Sequence, residues 1–174
     1  MTTNGLQGKV ALITGAGQGV GQGIAFALAA EGVVIAAVGR TRAKLEDTCA
    51  EIRRRGGSAQ PFVCDVTAGE QIDECVDEVA ARFGGVQILV NNAQLVPLGR
   101  LLDVSDEAFG DGFASGPLAA LRLMRACHPH LKGDGAVVNL ASSAAVRWDA
   151  SLPDRRHDPA RRWAGALGLR RDSP

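Results

Sequence analysis

The sequence predicts an α/β fold in which a doubly wound parallel sheet of about five strands carries helices on both faces. Short continuous apolar runs alternate with segments of helical periodicity, a pattern typical of buried parallel strands and their crossover helices. A glycine-rich turn separates the first apolar run from the first helical segment. Apolar residues make up 46% of the chain and aromatic residues only 4%, so small aliphatic side chains must build the core.

The apolar runs and helical segments alternate along most of the chain. Strands are expected over residues 10–13, 33–38, 60–66, 86–90 and 136–143. Helices are expected from residue 20, over 43–55, over 68–83, from 106 and over 117–131. The helix over 68–83 should bury one apolar face, made of Ile72, Cys75, Val76 and Val79. In the helix over 117–131 the expected apolar stripe is Leu118, Ala120, Leu121 and Met124.

Length, charge and cysteine usage narrow the class of protein. A chain of 174 residues is long enough for one domain with a sizeable core. Its 19 basic and 19 acidic side chains cancel, which argues against a nucleic-acid or anionic-membrane partner. No apolar run reaches membrane-spanning length, and residues 1–7 lack a signal-peptide layout. The cysteines form no C-x-x-C pair and are expected to be buried, reduced thiols of a cytoplasmic protein: Cys49, Cys64, Cys75 and Cys127.

The turn over residues 14–21 carries the main functional signal. Its glycines can adopt positive φ and bring backbone N–H groups close to a ligand, while the next helix directs its positive end to the same place. A pyrophosphate is the natural occupant. The Walker pattern fails because no lysine follows the glycines, and no register supplies the third small residue of G-x-G-x-x-G/A. The alternative, a flexible loop without a ligand, is disfavoured by the strand before it and the helix after it.

Two motifs resemble those of the classical short-chain dehydrogenases/reductases, a nicotinamide-dependent branch of the Rossmann family. Thr14-Gly15-x-x-x-Gly19-x-Gly21 is similar to their cofactor loop, and Asn91-Asn92-Ala93-Gln94 matches three of four residues of their Asn-Asn-Ala-Gly motif. The resemblance covers residues 6–146 and implies a Rossmann-type sheet that binds NAD(P)(H) and transfers hydride to or from a carbonyl or secondary alcohol. The implied cofactor contacts are Thr14, Gly15, Gln18, Gly19, Val20, Gly21, Arg40, Asp65, Val66, Asn91 and Ala93.

The end of the second strand bears on the choice of cofactor. An acidic residue there accepts hydrogen bonds from the adenosine ribose, whereas an arginine can pair with a 2′-phosphate. The acidic position corresponds to Gly39, and Arg40 follows it directly. This combination favours NADP(H) over NAD(H), with Arg42 as a second candidate. The alternative is that both arginines are merely solvated at the start of a helix.

The third strand is expected to end in an acidic residue, Asp65. The resemblance implies that this side chain accepts a hydrogen bond from the adenine amino group. Asp65 or Thr67 could instead cap the following helix, and the two roles are compatible. The family's asparagine that holds a water for proton relay corresponds to Gly116, which has no side chain for that purpose.

The catalytic residues are only partly represented. The resemblance places the family's catalytic serine at Ser142, with Ser143 as the alternative. The expected Tyr-x-x-x-Lys pair falls on Arg155 and Pro159, and the chain contains no tyrosine. The sequence therefore predicts an oxidoreductase of this family that is inactive in this form. The rival interpretation is a non-catalytic NAD(P)-binding module that acts through association, and a third is an enzyme that uses another acid such as His157.

Residues 147–174 differ in composition from the preceding 146 residues. They contain no Val, Ile, Phe or Lys and many Arg, Asp and Pro, so irregular or disordered structure is expected after an incomplete Rossmann domain over 1–146. The C-terminal strands of the family would then be missing, and homo-oligomers, which are usual in the family, become doubtful.

We hypothesise that residues 147–174 are a frame-shifted reading of a GC-rich gene, because such codons read out of frame favour Arg, Ala, Pro, Gly and Asp. The alternative is a real arginine-rich tail that binds a partner. The nucleotide sequence distinguishes them. An alternative frame that restores a tyrosine followed four residues later by a lysine would support the frameshift, and two alternative frames without that pair would rule it out.

Overall fold

A computed structural model describes residues 5–96, 104–131 and 135–141. The five strands are β1 (Val10–Thr14), β2 (Val34–Gly39), β3 (Ser58–Val63), β4 (Ile88–Asn91) and β5 (Ala136–Asn139). The five α-helices are α1 (Gly19–Ala30), α2 (Arg42–Arg54), α3 (Gly69–Phe83), α4 (Asp106–Phe113) and α5 (Ala119–Cys127). A π-helical turn (Ala114–Leu118) joins α4 to α5, and a 3₁₀ turn (His128–His130) follows α5. The predicted tail over 147–174 lies outside the described residues.

The strands form one parallel sheet in the order β3-β2-β1-β4-β5. From β1 the chain moves outward to β2 and β3, then returns to place β4 on the other side of β1. This reversal puts a topological switch point between β1 and β4, where open α/β sheets bind ligands beyond the carboxyl ends of their strands. The fold predicted from the sequence, a doubly wound Rossmann-type sheet, is confirmed.

The strands β1 and β4 at the centre of the sheet are buried on both faces, whereas every residue of the edge strand β5 is exposed. Side chains alternate across each strand, so neighbouring residues of β1 pack on opposite faces. Leu12 packs in the cluster that the sheet forms with α3 and α5. Its neighbours Ala11 and Ile13 pack in the cluster formed with α1 and α2. All residues of β1 are buried, which explains its continuous apolar sequence.

The carboxyl ends of two strands differ from the prediction. The strand predicted over 60–66 is β3, Ser58–Val63, so Asp65 lies two residues beyond the strand. The last pair of the β2–β3 ladder joins Gly39 to Val63. The Cys64 N–H still donates to the Gly39 carbonyl at 3.0 Å, and because β2 ends at Gly39 the chain beyond Cys64 has no strand to pair with. Similarly, β5 ends at Asn139 rather than at residue 143. The buried face predicted for α3 is confirmed, since Ile72, Cys75, Val76 and Val79 are all buried.

The apolar stripe predicted for the helix over 117–131 is largely wrong, since of its members only Met124 packs against the core. Leu121 is 39% exposed, and the other predicted members are only half-buried. The residues that α5 buries are Ala119, Leu123 and Cys127. Two of these are small, and small side chains let the helix approach the sheet closely, so side-chain size misled the prediction.

The π-helical turn sets the phase of α5, that is, which of its residues face the sheet. Pro117 has no N–H group and cannot form the usual helical hydrogen bond, and the N–H of Ala119 reaches back five residues to the carbonyl of Ala114. The turn therefore holds one more residue than an α-helical turn. The helical region is continuous from Asp106 to Cys127, so the prediction of two separate helices is corrected to one with an internal π turn.

The four cysteines are free and buried, as predicted. Burial raises the pKa of the Cys49 thiol to about 11 and that of the Cys127 thiol to about 12. Both thiols are therefore protonated at neutral pH. In the described ranges, none of the helices combines the length and apolar character that crossing a bilayer requires. Within those same ranges, no cluster of three or more His, Cys, Asp or Glu side chains is arranged to hold a metal ion.

Replacing Leu123 should reveal which face of α5 supports the fold. Leu123→Ala removes a side chain that is 2% exposed, so the free energy of unfolding should fall by about 2–5 kcal/mol. Leu121→Ala, on the same helix, should lower it by less than about 1 kcal/mol because Leu121 is partly solvated. Urea unfolding followed by circular dichroism measures both values. Equal losses from the two variants would contradict the observed phase of α5.

Candidate functional site

A group of hydrogen bonds joins the carboxyl ends of β1 and β4. The Thr14 hydroxyl accepts hydrogen bonds from the backbone N–H groups of Asn92 and Ala93, both at 3.0 Å, and donates to the Val90 carbonyl at 3.3 Å. The Asn92 side chain donates to the Thr14 carbonyl at 2.9 Å. The backbone leaving β4 is therefore fixed against the start of the glycine-rich turn.

The first half of the glycine-rich turn packs directly against this group of bonds. Gly15 has φ +68°, and a Cβ there would lie 2.7 Å from Asn92 Nδ2. A Cβ on Gly21, in the first turn of α1, would overlap the Gly15 carbonyl and lie 2.5 Å from Asn92 Nδ2. Only glycine allows the turn, the helix and β4 to meet so closely.

The second half of the turn is open. Gly19 has φ +59°, and nothing lies within 4 Å of the position a Cβ would occupy. Gln18, the N-cap of α1, makes no side-chain cap bond, and the first turn of α1 has no acidic residue. The first N–H groups of a helix have no partner within the helix and carry its positive dipole end. This end of α1 therefore offers donors to an anion.

The turn is also attached to α2. The Thr48 hydroxyl lies 3.1 Å from the Ala16 carbonyl, and it accepts a 3.0 Å hydrogen bond from Gln22 Nε2. Lys44 Nζ donates to Gln18 Oε1 at 2.6 Å. A Cβ on Gly17 would lie 3.0 Å from Lys44 Cβ. The start of α2 and its lysine are thus held directly against the turn.

The segment after β3 forms a turn that is closed by Asp65. Its Oδ1 accepts hydrogen bonds from the Thr67 N–H at 3.0 Å and the Thr67 hydroxyl at 2.8 Å. The Thr67 N–H holds the pKa of the Asp65 carboxyl below its usual value, and the Thr67 hydroxyl and the charge of Arg40 lower it further against partial desolvation. Asp65 is therefore an anion at neutral pH. The capping alternative was wrong, because the N-cap of α3 is Ala68 and it has no side-chain cap bond.

These elements surround a cleft of about 610 Å³ at the carboxyl edge of the sheet. This volume lies in the usual range for small-molecule and cofactor sites. Most of the predicted cofactor contacts line it, namely Gly15, Gln18, Gly19, Arg40, Asp65, Val66 and Ala93. Gly39 lines it too.

The other predicted contacts lie outside the lining and support it or face solvent. Thr14 is buried behind the turn, and Gly21 packs against Gly15. Val20 is 65% exposed. Asn91 Nδ2 donates to Asn139 Oδ1 at 2.8 Å, which ties β4 to β5. The predicted catalytic Ser142 and its alternative Ser143 lie outside the described residues.

Several lining residues were not predicted as site residues. They include Thr41, Lys44, Thr67, Asn92, Asp111 and Ser115. The Ser115 hydroxyl, in the π turn, accepts a 2.8 Å hydrogen bond from the Leu95 N–H and so joins the helical wall of the cleft to the segment after β4. A contact between residues 20 apart leaves no local sequence signal. Lys44 could have been recognised, because a cation in the first turn of a helix opposes the helix dipole.

The donor set of the cleft fits a dinucleotide. A pyrophosphate would lie against the glycine-rich turn and the N-terminus of α1. The packing around Gly15 leaves no room for a Cβ, whereas the space beside Gly19 is open. Arg40 and Lys44 supply positive charge at one end, and Asp65 supplies a hydrogen-bond acceptor. The site combines anion donors, cations and an acceptor, as a charged nucleotide requires.

Comparison with known proteins agrees with this geometry. A family model described as short chain dehydrogenase matches residues 9–152. The 12alpha-hydroxysteroid dehydrogenase of Clostridium sp. is 39% identical over 148 residues, which are 80% of this chain and 57% of that protein.

Solved structures of dehydrogenases also match this chain. A short chain dehydrogenase from Burkholderia cenocepacia J2315, in complex with NADP, has a TM-score of 0.79 and 33% identity, covering 84% of this chain and 60% of the other. An NAD⁺-bound xylitol dehydrogenase has a TM-score of 0.81 and 30% identity, and the match covers 94% of this chain and 61% of that one. The chain thus spans less than two thirds of the length of each of these relatives.

Two glycines of α1 should respond to alanine in opposite ways. Gly21→Ala should lower the free energy of unfolding by about 1–3 kcal/mol, because its Cβ would overlap the Gly15 carbonyl and approach Asn92. Gly23→Ala should raise it by about 1 kcal/mol, since nothing lies within 4 Å of that Cβ and alanine is the better helix former. Urea unfolding measures both. A Gly21→Ala variant as stable as Gly23→Ala would contradict the close packing of the turn.

Proposed function

The chain belongs to the short-chain dehydrogenase family, and on that premise we propose that it forms the nucleotide-binding half of an oxidoreductase that acts on carbonyls and secondary alcohols. The observation that carries the proposal is the cleft at the switch point between β1 and β4, with the glycine-rich turn on one side and Asp65 on another. A bound nicotinamide would supply the hydride. The residues of this chain bind and orient the dinucleotide.

Each wall of the cleft has a separate binding role in this proposal. The backbone N–H groups at the start of α1 hold the pyrophosphate. The Asp65 carboxylate accepts a hydrogen bond from the adenine amino group. Asn92 and Thr14 act behind the lining by keeping the glycine-rich turn and the segment after β4 in place. Ser142 would hold the substrate carbonyl oxygen.

We also propose that the cofactor is NADP(H) in preference to NAD(H). Arg40 and Lys44 line the cleft beside Gly39, which stands where Rossmann folds that bind NAD generally carry an acidic residue. A Cβ on Gly39 would meet only Leu45 Cδ2 at 3.4 Å, an ordinary contact, so packing does not require glycine here. The second candidate, Arg42, forms an ion pair with Glu46 at 3.6 Å. It is not one of the residues that line the cleft. Lys44 therefore replaces Arg42 as the partner of Arg40.

The 174-residue chain is proposed to bind the cofactor without turning over substrate. It contains no tyrosine, and Gly116 stands where the family places a water-holding asparagine. A general acid must lie within hydrogen-bond reach of the proton that it transfers, and the side chains that supply this acid in the family are missing from the sequence. We place the protein in the cytoplasm, where thiols such as the four buried cysteines stay reduced.

Titration of the purified chain with NADPH and NADH, followed by nucleotide fluorescence, tests this proposal. It should be run beside a reduction assay on a broad panel of ketones and aldehydes. We expect saturable binding, tighter for NADPH, and no turnover. Absence of binding to a folded chain would contradict the nucleotide-binding role, and turnover would contradict the claim of inactivity.

Three variants test the preference for NADP(H). Arg40→Ala and Lys44→Ala should each weaken NADPH binding by about tenfold, because each removes a charge-assisted contact with the 2′-phosphate. Binding of NADH, which has no such phosphate, should change little. Arg42→Ala is the matched control and should leave both affinities near the wild-type values. Equal weakening of NADPH and NADH, or a larger effect from Arg42→Ala, would contradict the assignment.

A further inference from the structure

The turn after β3 is tied to a distant helix. Arg122, on α5, donates a hydrogen bond from Nη1 to the backbone carbonyl of Thr67 at 3.0 Å, across 55 residues of sequence. The guanidinium also lies against the first residue of α3, since a Cβ on Gly69 would be 3.7 Å from both Cζ and Nε of Arg122. The side chain therefore spans from α5 to the turn and to the start of α3.

This contact reaches the cleft through Thr67. The same residue that offers its carbonyl to Arg122 donates its N–H and its hydroxyl to Asp65 Oδ1. A shift of the Thr67 backbone would therefore move the Asp65 carboxylate. The Cys64 N–H, before this turn, donates to the Gly39 carbonyl of β2. Within the turn, the Asp65 N–H donates to Gln71 Oε1 and the Ala68 N–H to the Asp65 carbonyl, and none of these bonds fixes the turn relative to α5.

The helical region that carries Arg122 also forms part of the cleft. Asp111 and Ala114, in α4 and the π turn, line the cleft, as do Asp65, Val66 and Thr67 on the other side of the bond. Arg122 thus connects two walls of the same cleft. Its hydrogen bond fixes the position of the turn that bears Asp65 relative to the helical wall.

We propose that Arg122 is a positioning residue of the nucleotide site, which holds the Thr67 carbonyl and thereby places Asp65 and Val66 against the adenosine half of the dinucleotide. This inference rests on the proposed function of the cleft. Neither the motif match nor the spacing of residues in the sequence indicates it, because the contact joins α5 to a turn 55 residues away.

The test compares Arg122→Ala, Arg122→Lys and the control Arg125→Ala, whose arginine is exposed one turn further along α5. Adenosine 2′,5′-bisphosphate and NADPH are the ligands, because the first carries only the adenosine half. Arg122→Ala should weaken both by the same factor, about three- to tenfold, as expected for the loss of one charged hydrogen bond. Arg122→Lys, which keeps a donor and a charge, should recover part of the affinity. Arg125→Ala should bind as the wild type does.

Hydrogen exchange of the peptide that covers residues 64–69 supplies a readout without ligand. Arg122→Ala should speed exchange in this peptide, and Arg125→Ala should not. An Arg122→Ala variant that unfolds more easily but binds both ligands with wild-type affinity would overturn the inference and leave the proposed function intact. Failure of the folded wild type to bind either ligand would overturn both.

Discussion

The hydroxyl group of Thr14 is the contact on which the carboxyl edge of the sheet depends. It accepts hydrogen bonds from two backbone N–H groups in the segment after β4. It also donates one to the carbonyl of Val90, near the end of β4. Without it, two partly buried N–H groups would lose this partner, and the penalty approaches about 1–3 kcal/mol for a fully buried group. The same contact places Asn92 beneath Gly15, so the shape of the glycine-rich turn follows from how β4 ends.

The position of α2 involves a compromise between stability and ligand binding. Arg42 and Lys44 stand in its first turn, where no acidic residue is present, although cations are unfavourable at this end of a helix by about 0.3–1 kcal/mol. Arg42 is compensated by Glu46 one turn later. Lys44 instead bonds the neutral Gln18 side chain, so its charge is not neutralised by that contact. An anionic phosphate in the cleft would satisfy both Lys44 and the helix end.

The parts of the structure that the sequence predicts are those encoded locally. Residues 10–13 and 33–38 form strands of the core because every side chain in them is apolar, and the turn between Thr14 and Gly21 carries glycine at every second position. The phase of α5 was not predictable from the size of Leu121, because Pro117 and the π turn decide it. Ser115 and Arg122 act through contacts between residues far apart in sequence, and a pattern search over neighbouring positions cannot detect such contacts.

Binding and proton transfer place different demands on this fold. The cleft is lined by residues between Gly15 and Ser115, all inside the segment that matches the family over 9–152. Its backbone N–H groups, two cations and two carboxylates are positioned by the first four strands and by the helices and turns that follow them. Proton transfer needs an acid placed to within hydrogen-bond distance of the substrate, and in the family that acid comes from beyond β5. Dinucleotide binding and proton transfer therefore depend on different parts of the family's fold. This is why binding and turnover must be measured separately.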